Sequence, residues 1–169
     1  GAYSTGLLSI AFGWGWLATL GAGFAISGIA AVLLGLASLR FRDEYFVIAT
    51  LAFQVLIWSV MENWTIVTQG PLGLSGIPPP TLFGVTIGAR WLFSVIAIAY
   101  LGVAVLIIGL LSKAPYGRVL RAIREDEIFP LALGKNVRAF RVSAFAVSAI
   151  FAAGAGSIYA TYISYIDPS

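Results

Sequence analysis

The side chains of this protein able to do chemistry are concentrated between Lys113 and Arg141, in the stretch KAPYGRVLRAIREDEIFPLALGKNVRAFR, which holds seven of the ten basic residues. Arg118, Arg121 and Arg124 are spaced i, i+3, i+6, and so are Lys135, Arg138 and Arg141. Each triplet makes a basic stripe along a helical turn. Val119, Leu120 and Ile123 fall on the other side of the first helix. Between the stripes run Glu125, Asp126 and Glu127, then the apolar Ile128–Leu133 and Gly134. Asp126 suits the cap of a short helix, Pro130 its first turn and Gly134 its end. The pattern predicts a helical extension, a short crossing helix with an apolar face, and the entry to the next long helix. An exposed apolar face calls for a protein partner. The plainer alternative is two basic helix ends snorkelling out of a bilayer and joined by a turn.

Other chemistries are missing. The chain has no His and no Cys, which excludes disulfides, Cys/His metal sites and the commonest general base. The acids of the loop sit among basic neighbours and form no catalytic constellation, so no enzymatic activity is expected. There is no GxxxxGK[ST] phosphate loop; no cofactor is expected, and ATP would be bound in that mode only by a partner. The net charge of +3 arises at helix ends and in one loop, so it does not indicate nucleic-acid binding. No ionisable side chain lies well inside an apolar segment, as ion-coupled transporters usually require. Gln54 is the deepest strongly polar side chain, suited either to an interhelical hydrogen bond worth roughly 1 kcal/mol or to contact with a solute.

The elements that must position these groups are transmembrane. The chain is 60% apolar and 10% charged, with a mean hydropathy of +0.96, against roughly 25% charged residues in soluble domains. The expected architecture is an all-α polytopic transmembrane helical bundle of a single domain. It comprises a short N-terminal helical piece to about Phe12, four full spans and a cytoplasmic coupling helix. Leu7 to Leu39 carries no charge and is too long for one ordinary span, and Gly13-Trp14-Gly15-Trp16 supplies the break. The spans are then about 17–39, 45–61, 91–112 and 142–165. Lys- and Arg-rich short loops stay on the cytoplasmic side, which makes 113–141 and 40–44 cytoplasmic and 64–90 external. Gly21, Gly28 and Gly35 recur every seven residues, as do Gly102 and Gly109, a spacing for close helix approach or for a hinge. Tyr159, Tyr162 and Tyr165 form an aromatic stripe near the external end of the fourth span, an interface belt or a ligand cage. The start Gly-Ala-Tyr, without Met, basic n-region or cleavage site, predicts no signal peptide and an excerpt of a longer chain.

Four segments resemble one family in order along essentially the whole chain: GAYSTGLL, LRFRDEYFVIATLAF, TQGPLGLSGIPPP, and LRAIREDEI followed by ALGKNV and AFAVSAIFAAGAGSIYA. They are similar to LivM-type permeases of branched-chain amino acid ATP-binding-cassette (ABC) importers. The resemblance implies a permease with further spans on both sides of this region, in a bacterial or archaeal inner membrane. It also implies as partners ABC ATPase subunits that bind the ATP, a second homologous permease subunit, and a periplasmic or lipid-anchored substrate-binding protein. Urea and short-chain amide permeases are related alternatives, and a non-transport membrane scaffold is the alternative from another class. The 113–141 loop corresponds by resemblance to the element that docks on the ATPase, with Glu127, Ala132 and Gly134 at motif positions and Arg124, Ile128, Leu131 and Leu133 around them. The family has small residues where Phe129 and Pro130 stand, Gly at Gln69 and commonly an acid at Gln54. The external segment of Thr68, Gly70, Gly73, Leu74, Ser75, Gly76, Ile77 and Pro78, with Gln54, becomes a candidate for the substrate path or for binding-protein contact.

Overall fold

A computed structural model of the chain describes residues 1–38, 43–79, 81–82, 85–86, 90–126 and 128–167. Its long elements are helices: α1 (Ala2–Phe12), α2 (Trp16–Ser38), α3 (Asp43–Asn63), the one-turn α4 (Thr65–Thr68), α5 (Arg90–Lys113), α6 (Pro115–Glu125), α7 (Ile128–Ala132) and α8 (Val137–Ile163). Two-residue strands β1 (Leu74–Ser75) and β4 (Tyr165–Ile166) pair antiparallel, as do β2 (Thr81–Leu82) and β3 (Val85–Thr86).

The break near Gly13 lies where the glycines place it. Gly13 adopts φ 62°, and its amide donates to the Ser9 carbonyl at 3.1 Å, closing α1. Trp16 then opens α2. Segments Trp16–Ala37, Trp91–Lys113 and Val137–Ile163 are long and apolar enough to cross a bilayer, and the apolar part of α3 is the shorter Val47–Asn63. The fold is an all-α polytopic membrane bundle. At 27 residues, α8 is about 40 Å long.

The last span departs from expectation. It begins at Val137 instead of 142, because the Asn136 side chain accepts the Ala139 amide at 3.1 Å and starts the helix there. Arg138 and Arg141 are therefore inside α8, and Lys135 precedes it, so the second basic triplet is not one continuous stripe. Nor is α6 an extension of α5. Ala114 is extended (φ −66°, ψ 164°) ahead of Pro115, as the residue before a proline prefers, and the chain turns before re-entering a helix.

The central contact is α2 against α8, antiparallel, with α1 laid across both. A Cβ on Gly28 would sit 3.5 Å from Ile150, and one on Gly35 3.6 Å from Val142, so two glycines of the seven-residue series face α8 at a distance that alanine would also fit. Gly21, Gly102 and Gly109 have no described neighbour within 4 Å of such a Cβ; their spacing serves no packing inside this segment. Thr5 donates to Ser157 at 2.9 Å, a fully buried α1–α8 bond worth roughly 1 kcal/mol in a bilayer. Tyr100 of α5 lies over Gly154 of α8 and donates to the Phe151 carbonyl at 2.7 Å. Most of α5 is otherwise uncovered: Ile98, Leu101, Val105 and Leu106 are each more than 60% exposed, a surface suited to lipid or to other spans.

Candidate functional site

Two regions of the sequence-derived site take shape, at opposite ends of α8. At its N-terminal end, α6 is amphipathic. Arg118, Arg121 and Arg124 are exposed, Val119 and Leu120 are half-buried, and Ile123 is buried. Its other fastenings are aromatic and polar. Tyr116 stacks on Phe140 (centroids 5.5 Å apart, planes at 28°), and its hydroxyl meets Ser143 Oγ at 2.8 Å. Arg121 donates from Nη2 to the Ser112 carbonyl, satisfying the C-terminal end of α5.

The five-residue α7 follows, held at both ends. Asp126 Oδ1 accepts the Ile128 amide at 2.9 Å. At the far end the Gly134 amide donates to the Leu131 carbonyl at 2.9 Å and the Lys135 amide to the Pro130 carbonyl at 3.0 Å, with Gly134 at φ 72°. These paired bonds form a Schellman cap, whose left-handed residue is best supplied by glycine. Pro130 turns inward and is buried, while Ile128, Phe129, Leu131 and Leu133 are 57–75% exposed. Ala132 is exposed beside them. Glu127 lies outside the described residues, as do Arg40 and Arg42.

At the other end of α8, the Thr68–Pro78 segment is folded down. The Thr68 hydroxyl lies within reach of the Met61 and Trp64 carbonyls and accepts the Gly70 amide at 3.4 Å. Thr68 is buried. Gln69, Gly70, Gly73 and Gly76 all have positive φ. The register Leu74↔Ile166 and Ser75↔Tyr165 ties the segment to the tip of α8. Ile77 joins Ala160 and Ile166 in a small core against Ala2 and Tyr3. Leu74 and Gly73 are also buried, whereas Ser75, Gly76 and Pro78 are exposed. The tyrosine stripe is split: Tyr159 and Tyr162 are exposed on α8, Tyr162 meeting Phe93 edge-on at 5.5 Å, and Tyr165 is in β4 with its hydroxyl donating to the Leu72 carbonyl at 3.3 Å.

Gln54 is apart from both regions. It borders a cavity of about 270 Å³ between α2, α3 and α8, with Leu34, Thr50, Phe53, Ile57 and Phe145. The sequence reading missed the β1–β4 pairing and the Thr5–Ser157 and Tyr100–Gly154 contacts. Only the small-residue run Gly154–Ser157 signalled the last two.

The architecture is that of a multi-pass membrane bundle with an amphipathic helix, α6, and a doubly capped apolar one, α7, at one end and a pinned Gly/Pro loop at the other. All residues, 1–169, match the family described as branched-chain amino acid transport system, permease component, and the chain belongs to that family. It is 32% identical, over 99% of its length, to the high-affinity branched-chain amino acid transport system permease protein LivM of Escherichia coli, and 33% identical to the Salmonella typhimurium protein of the same name; it covers 45% of each. A probable LivM permease of Methanocaldococcus jannaschii is 28% identical over 79% of the chain and 39% of that relative. The chain thus spans less than half the length of these relatives. No solved structure matches it significantly.

Proposed function

We propose that this chain is part of a permease subunit of an ABC importer, contributing to a passive path for branched-chain amino acids. The work of transport would come from separate ATPase subunits that bind the ATP, the chain itself being non-catalytic and needing no cofactor. The observation that carries this reading is α7. A five-residue helix with three large apolar side chains exposed and a fourth, Leu133, just after it, fixed by Asp126 and the Gly134 cap, is costly in water unless covered. It suits a groove on an ATPase, and the rigid caps let motion pass through it, since a change of state reaches the path only through contacts that differ between the two states. The relatives' names support Leu, Ile or Val as cargo and give no support to urea or short-chain amides. By the charge bias, 113–141 and 40–44 face the cytoplasm of a bacterial or archaeal inner membrane. The Ser75–Pro78 surface would then meet a substrate-binding protein outside, with a second homologous permease subunit completing the path.

The test is the full-length permease co-expressed with its ATPase subunits. Ile128→Asp and Leu131→Asp place a charge on the proposed contact without touching either cap. Both variants should insert normally, fail to co-purify with the ATPase, and lose ATP hydrolysis stimulated by amino acid and binding protein. Retained co-purification and stimulation in both would refute docking through α7. A wild-type chain that purifies without any ATPase would favour the scaffold alternative.

A further inference from the structure

Beside α7, but separate from its exposed face, is an open cleft of about 860 Å³ between the end of α5, the flank of α6 and the first half of α8. Its volume is in the range of ligand pockets. Its composition is graded. Lys113, Arg121 and Arg124 line it, and none of the lining residues is acidic. Ile108, Val147 and Phe151 lie deeper. Ile108 is five residues before Lys113 in α5, hence about 8 Å further into the bilayer. The hydroxyls in the walls are already spent: Ser112 donates to the Ile108 carbonyl at 2.8 Å and Ser148 to the Ala144 carbonyl at 3.0 Å. With those hydroxyl protons engaged, the depth offers mainly apolar contact, and the charges at the rim are all cationic.

We propose that this cleft is a binding site for an anionic glycerophospholipid, its phosphate at the Lys113/Arg121/Arg124 rim and its acyl chains along Ile108, Val147 and Phe151. The argument is charge complementarity combined with depth. A hydrocarbon-lined slot at a membrane surface takes acyl chain, and a basic rim at headgroup level selects a negative headgroup over a zwitterionic one. A soluble anion would gain nothing from the apolar walls, and another apolar helix would gain nothing from the rim. Arg121 bridges the two roles, because its Nη2 is held by the Ser112 carbonyl and the guanidinium is thereby fixed at the mouth.

The test uses the full-length permease with its ATPase partners, in a cysteine-free background, purified in detergent. The complex is exposed to phosphatidylglycerol and phosphatidylcholine of identical acyl chains, and the lipid retained after washing is measured by mass spectrometry. The wild type should retain phosphatidylglycerol over phosphatidylcholine by roughly 30- to 150-fold, as two to three surface cations imply. Lys113→Gln with Arg121→Gln should abolish the preference in a complex that still elutes as one species. Val147→Trp, which fills the depth and leaves the rim intact, should lower retention of phosphatidylglycerol. Equal retention of the two lipids by the wild type overturns the proposal, and so does a preference that survives the double substitution. Retention unaffected by Val147→Trp overturns it too, as a surface charge effect without a seat for the chains. Finally, Ser148→Cys should react with a membrane-permeant maleimide in lipid-stripped protein and be protected by phosphatidylglycerol. A thiol that never reacts shows that another span fills the cleft.

Discussion

Single residues in this chain act mostly through backbone conformation and close approach. Gln69 holds φ 59° between two turns, a region that costs a residue with a Cβ roughly 1–2 kcal/mol. The family resemblance implies glycine at this position, a residue that adopts such a φ without that cost. Gln69→Gly should stabilise the full permease by roughly 1 kcal/mol after the entropy lost by glycine is deducted, readable as a higher Tm in detergent. Gly154 shows the opposite constraint. Any Cβ there collides with the ring and hydroxyl of Tyr100, so Gly154→Ala should destabilise by about 1–3 kcal/mol. Tyr100→Ala in the same chain should recover part of the loss, and Tyr100→Phe should recover less, because it removes the closest atom, the hydroxyl, but leaves the clashing ring carbons. An additive double mutant of Gly154→Ala and Tyr100→Ala would disprove the contact. Gly134 is different again, with open space around a would-be Cβ; only its left-handed φ objects to substitution.

Among the elements, the long helices were legible because charge-free runs bounded by Arg, Lys or Glu have few other uses in an apolar chain. The capped α7 was legible too, from Asp126 and Gly134 at the right separation. The exact start of α8 was not, since Lys135, Arg138 and Arg141 read as one helical stripe leading into a span from 142; the helix takes in only the two arginines, whose charged ends reach water at a membrane surface. The strands were illegible for a simpler reason: two residues have no periodicity, and β1 finds β4 only through tertiary packing. Substitutions should separate the loop's two kinds of glycine. A side chain on Gly73 would strike the Ile166 carbonyl and Tyr165, as well as forcing φ 67°, whereas Gly76 has φ 83° in open space. Gly73→Val should therefore cost more than Gly76→Val, by roughly 1–3 kcal/mol, and should expose the loop to protease in cells whose outer membrane is permeabilised. Equal protease sensitivity in the two variants would mean that the β1–β4 seam does not hold the loop.

For the whole molecule, the antiparallel order of α2, α3, α5 and α8 fixes which segments share an end, and the basic residues then choose the side. Ser75 is exposed and Thr68 buried, so Ser75→Cys is the probe for the outer face and Arg124→Cys for the inner one. Ser75→Cys should react with an impermeant thiol reagent applied to cells whose outer membrane is permeabilised, and Arg124→Cys only after the inner membrane is opened. The reverse order would invert the bundle and remove α7 from reach of any cytoplasmic ATPase. The β1–β4 seam also sets an order of events during synthesis. Leu74 meets Ile166, a partner 92 positions later, which at about 5–20 residues per second emerges from the ribosome roughly 5–20 seconds behind it. Through that interval α3 and α5 can already lie in the bilayer while the segment between them waits without its pairing strand. A nascent chain arrested before Tyr165 should thus have a cleavable loop on the far side of the membrane, and one released after Ile166 should have a resistant one, which makes arrival of the α8 tip the step that closes this end of the protein.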